Sequence, residues 1–194
     1  MSFKKNNPRT ILLLLIMFVV AALRLLTHFT DHISSISNFT PIGAMALFGG
    51  AAFKGKIKPF LFPLFTLFIS DMVLSFTIYA DFRSGLLYGS WYWTYAAFAL
   101  MVVTGKLLIK NANVKSIVFG VLVTTVIHWL VSDIGACLNE KTTEAMLSHY
   151  GQRLLTAIPY ELNFLVGTLI YGGLMFGSFE WLQRRYPAIA LDSK

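Results

Sequence analysis

The chain has 194 residues, 56% of them hydrophobic and 13% charged, with a mean hydropathy of +0.67. Soluble domains carry about 25% charged residues, so this chain lacks the polar residues to cover a water-facing surface. The net charge of +7 would elsewhere suggest nucleic acid, but here the lysines and arginines stand between apolar runs, which points to orientation in a membrane.

In chain order the apolar runs predict one all-α domain, residues 1–194, an integral membrane bundle of six transmembrane helices. The first span runs from Thr10 to Leu26. Behind Lys4, Lys5 and Arg9 it has the outline of a signal peptide. Arg24 follows at once, however, and no small-x-small cleavage site precedes a soluble domain, so it is read as a helix that stays. The second span, about Phe39 to Phe53, opens with Pro41, a good first-turn residue. It is short for a helix that needs about 20 residues to cross, so it is either little tilted or partly re-entrant against protein. The third runs from Pro59 to Tyr79, the fourth from Leu86 to Ile109, the fifth from Val114 to Leu138 and the sixth from about Pro159 to Leu182. The long loop from Asn139 to Ile158 has room for a short surface helix.

The basic residues alternate between segments. One set holds Lys4, Lys5 and Arg9, then Lys54, Lys56 and Lys58, then Lys106, Lys110 and Lys115, then Arg184, Arg185 and Lys194. The other holds only Arg83, Lys141 and Arg153. The positive-inside rule therefore places both termini in the cytoplasm. At about 1.5 Å of rise per residue, Asp71 and His128 then lie roughly 20 Å above the inner boundary, Arg24 roughly 22 Å and Asp133 roughly 27 Å. Glu161 and Asn163 open the sixth span on the same outer side.

A charge at that depth must pair, face the bundle interior or line a wet cavity. Arg24 and Asp71 are of opposite sign at similar depth and suit a pair, with His128 as a hydrogen-bonding neighbour. Such a cluster either only locks helices together or lines a polar pocket open to the outside. Two features favour the pocket: the polar set is one-sided, and Trp91, Tyr92, Trp93, Tyr95, Trp129 and Tyr160 crowd the same level. Singly, each of those aromatics fits an interfacial belt equally well. The candidate ligand-binding residues are Arg24, Asn38, Asp71, Trp91, Trp93, His128, Trp129, Asp133, Glu161 and Asn163.

No catalytic, metal or cofactor site is expected. Cys137 is the one cysteine, which excludes an internal disulfide and a cysteine-based metal site. His28, Asp31 and His32 lack a further strong ligand. His128 and Asp133 are about 140° apart around a helix and do not share a face. No nucleophile motif accompanies His128 and Asp71, and no glycine loop cradles phosphate. Gly173 with Gly177, and Ala46 with Gly50, have the small-residue spacing that lets helices approach closely.

Arg24, NFTPIGAMALFGGAAF (Asn38 to Phe53), FPLFTLFISD (Phe62 to Asp71) and YGSWYWTY (Tyr88 to Tyr95) resemble an uncharacterised family of small six-helix bacterial membrane proteins. That family in turn is similar to the substrate-binding (S) components of energy-coupling factor transporters in size, span number and layout. The resemblance implies the bacterial inner membrane, a vitamin-like ligand taken from outside, and docking onto an energy-coupling transmembrane subunit driven by separate ATPases. S components typically dock through an alanine-x-x-x-alanine patch on the first helix. Here Ala21 and Ala22 are followed at i+4 by Leu25 and Leu26, and the small faces sit on the second and sixth helices. Small cobalamin-specific S components place a cysteine near the ligand, and Cys137 at the outer end of the fifth span keeps cobalamin among the candidates. The expected role is substrate capture for micronutrient uptake. The alternative is a non-transporting interaction subunit whose polar cluster fixes helix register.

Overall fold

The computed structural model describes residues 8–30, 39–77, 80–138 and 140–186, and of residues 23–30 the backbone alone. The described chain is helical apart from one small hairpin. Its helices are α1 (Pro8–Thr30), α2 (Ile42–Ala52), α3 (Lys58–Phe76), α4 (Trp91–Leu108), α5 (Val114–Val131), the single turn α6 (Ile134–Cys137) and α7 (Thr143–Arg185). Between α3 and α4 lie a 3-10 turn, Ala80–Phe82, and two antiparallel strands, β1 (Arg83–Ser84) and β2 (Leu87–Tyr88). Arg83 pairs with Tyr88 and Ser84 with Leu87. Gly85, at φ +85°, takes the left-handed position that so tight a turn requires.

Among the described residues three stretches are long and apolar enough to cross a membrane: Lys58–Phe76, Val114–Cys137 and Thr143–Arg185. Helix α4 has the length, but its first residues, WYWTY, lower its hydropathy. Many large apolar side chains face outward, among them Phe18, Phe65, Phe119, Val126, Leu162 and Leu174. Contiguous apolar surface of this kind suits lipid rather than water.

The centre of the bundle is α2. It has 11 residues, roughly 16 Å of helix, which is half a bilayer core, and all but Ala51 are buried. It touches α1, α3, α4, α5 and α7. Its small residues make this feasible. A Cβ on Gly50 would lie 2.0 Å from the carbonyl oxygen of Val102, and one on Gly105 would lie 2.1 Å from that of Leu47, so α2 and α4 meet backbone to backbone. Gly49 similarly admits the ring of Pro63 on α3. The segment expected to be short is a short helix, enclosed by protein.

Several boundaries differ from the sequence reading: α3 ends at Phe76 rather than Tyr79, the fifth stretch breaks after Val131 before the separate turn α6, and two further differences are larger. The fourth helix starts at Trp91 rather than Leu86, because residues 87–88 pair as β2. The sixth span does not start at Pro159. Its helix begins at Thr143 and runs 43 residues, roughly 64 Å, straight through Pro159. Thr142 caps it by accepting the amide of Ala145 (3.2 Å), and Glu144 sits favourably in the positive first turn. A proline inside a helix costs one hydrogen bond, and Pro159 itself is exposed.

Candidate functional site

The lysine-rich helix ends come together at one end of the bundle. Arg9 donates to the carbonyl of Ala52 (3.2 Å), Lys106 to that of Gly55 (3.3 Å), and Arg9 lies over the ring of Phe179. The opposite end collects the buried acidic residues, at two stations.

The first station is Asp71 on α3, 4% exposed. Tyr95 on α4 donates to its Oδ2 at 3.2 Å, and Tyr88 on β2 reaches the same oxygen at 3.5 Å. The hairpin is what delivers Tyr88. Leu87 beside it is buried, and Arg83 opposite stacks on Phe76. Trp91 meets Tyr95 edge-on at 5.0 Å.

The second station lies between α5 and α7. Nδ1 of His128 is 2.8 Å from Oε1 of Glu161. The imidazole stacks flat on Phe164 (4.3 Å, 12°) and stands edge-on to Phe98. The second carboxylate oxygen of Glu161, Oε2, is buried with no hydrogen-bond partner among the described residues. Phe98 lies three residues after Tyr95 on α4, so the two stations are one helical turn apart, matching the common depth expected for Asp71 and His128. Under both lies one apolar cluster of Ile42, Leu67, Phe98, Met101 and Phe164.

Beside the second station opens a cavity of about 410 Å³, lined by His128, Ser132, Asp133, Arg153, Thr156, Ala157, Tyr160 and Glu161. Asp133 and Arg153 are paired across it at 2.7 Å. Its far wall is the N-terminal part of α7, which is strapped to α5. The indole N–H of Trp129 donates to the carbonyl of Leu154 (2.9 Å), and the hydroxyl of Tyr150 donates to that of Leu130. This wall belongs to the stretch read from sequence as a loop. Arg153 and Thr156 were therefore missed as lining residues, although the cap at Thr142 was readable; Tyr160, expected at this level among the aromatics, lines the cavity too.

The structure thus brings His128, Asp133 and Glu161 to one cavity, with Asp71 one turn away. The tryptophans do not line it. Trp91 is partly exposed beside Tyr95, Trp129 braces Leu154, and Trp93 packs on Gly135, where a Cβ would lie 2.4 Å from its ring. Asn163 is half-buried on α7 and does not line the cavity. Asn38, Asp31 and His32 lie outside the described residues, as do the side chains of Arg24 and His28. Among the described residues no three His, Cys, Asp or Glu side chains converge as a metal site would require.

No curated protein and no solved structure matches the chain. A family model, described as a family of unknown function (DUF6580), matches residues 4–189, and the chain belongs to that family.

Proposed function

We propose that this protein is a membrane-embedded substrate-binding component for uptake of a vitamin or similar micronutrient. Its ligand enters the cavity between α5 and α7. In this reading the bundle crosses a bacterial inner membrane six times with both termini cytoplasmic, is not itself an enzyme, and draws its energy from a separate ATPase module. The observation that carries the reading is Glu161. A buried carboxylate oxygen without a partner among the described residues costs about 1–3 kcal/mol or more, and because Glu161 also lines the neighbouring cavity, a ligand donor there would satisfy that oxygen once the carboxylate turns toward it. The segregation of basic residues to one end and of buried acids to the other supports the orientation.

A second reading, a non-transporting interaction subunit, is favoured by other pairs. Asp71 already accepts from tyrosine hydroxyls and Asp133 already holds Arg153, which is how helix braces look. Native mass spectrometry of the wild type, Glu161→Gln and Asp71→Asn, with candidate vitamins added back, separates the two. A small-molecule adduct lost at least tenfold in Glu161→Gln while its melting temperature stays within a few degrees supports capture. Bare chains throughout, with stability loss alone, support the brace.

A further inference from the structure

The lysine-rich end of the bundle holds a second built cavity, of about 320 Å³, which the uptake reading does not use. It lies where the first turn of α1, the end of α2, the α4–α5 connection and the last turns of α7 meet. Its floor is aromatic: Phe48 meets Phe176 and Phe179 edge-on at 5.1 and 5.6 Å. Its upper wall is cationic and amide-bearing, with Arg9, Lys110, Asn111 and Gln183. Arg9 is set in place by the Ala52 carbonyl and the Phe179 ring, at the negative end of the α2 dipole. Lys110 and Asn111 are exposed at the rim. The one carboxylate among the lining residues, Glu180, is half-exposed and pairs with Arg184 at 2.6 Å.

A cationic rim above an apolar floor fits an anion that carries an apolar tail. The cavity also lies at the end where Lys54, Lys56, Lys58, Lys106 and Lys115 gather, which is headgroup level for a bilayer that the bundle crosses. We propose that this cavity holds the phosphodiester headgroup of one anionic phospholipid. The phosphate takes donors from Arg9, Lys110 and the amides of Asn111 and Gln183, and the first acyl carbons lie over Phe48 and Phe176. The assignment does not depend on the cavity at the other end of the bundle.

The test is native mass spectrometry of the full chain in detergent with added phosphatidylglycerol or phosphatidylethanolamine, with and without millimolar inorganic phosphate. The variants are Lys110→Ala/Gln183→Ala, which alters the rim and not the core, and Lys58→Ala, exposed at the same end but outside the cavity. Melting temperatures confirm that each variant folds. The expected result is one retained phosphatidylglycerol, favoured several-fold over phosphatidylethanolamine. Its occupancy should drop at least fivefold in the double variant, change less than twofold in Lys58→Ala, and resist displacement by phosphate. Equal retention of the two lipids, or equal loss in both variants, would overturn the site in favour of diffuse surface charge. Displacement by inorganic phosphate would overturn the lipid and assign a soluble phosphate instead.

Discussion

Helices α2 and α7 carry the same sequence device and use it in opposite ways. Ala46 and Gly50 on α2, and Gly173 and Gly177 on α7, both place small residues four apart. On α2 that face is closed: a Cβ on Gly50 would strike the Val102 carbonyl. On α7 it is open among the described residues, none of which lies within 4 Å of a Cβ built on Gly173 or Gly177. The shortest of the long helices is enclosed almost entirely by its neighbours, whereas the longest turns a whole face outward. A small-residue stripe therefore marks close approach only where a second backbone occupies the space in front of it. Its spacing alone carries no information on that neighbour.

Substitutions can break or sharpen this contrast. The largest effect is expected at Gly50→Val, where backbone rather than a movable side chain blocks the new atoms. Reversible unfolding in mixed micelles should register a loss of about 3 kcal/mol, the upper end of overpacking costs. Next comes Gly135→Ala, whose Cβ would meet both Trp93 and Ser90. Ser90 already holds a left-handed φ of 60° and donates to the Gly135 carbonyl, so little room is left to relax, and about 2 kcal/mol should be lost. Trp129→Phe keeps an aromatic ring, with some loss of volume, but removes the bond to Leu154. It should cost about 1 kcal/mol and raise hydrogen exchange in the first half of α7 ahead of the core. The smallest effect is expected at Gly177→Ala, neutral or stabilising by about 0.5 kcal/mol, since alanine is the better helix former. Equal losses at positions 50 and 177 would erase the distinction between the two stripes. A loss at 177 that appears only at high protein concentration would mean that its open face serves an intermolecular contact.

The relative level of the polar groups was legible from charge. The alternation of lysines with apolar runs put Asp71 and His128 at one level and Glu161 on the same outer side. The structure has them there, within one turn of α4. Partners were less legible. The Arg24 side chain expected to pair with Asp71 lies outside the described residues; among those described, Asp71 accepts from Tyr95 and Tyr88, the latter supplied by a hairpin within what read as the start of a helix. His128 takes Glu161, 33 residues away, because α5 and α7 pack side by side. Pro159 read as a start because proline suits a first turn. The helix runs through it because its N-terminal stretch is braced by Trp129, Tyr150 and Asp133.

By itself, then, the sequence determined class, polarity and level: an apolar composition short of charge, basic residues sorted to one end, and acids set deep within apolar runs. These follow from transfer free energies, which act residue by residue along the chain. Tertiary structure decided which polar groups meet, which glycine stripe is closed and where the cavities lie. Those depend on which backbones come within a few ångströms of one another, a property of pairs of helices that no single stretch of chain contains.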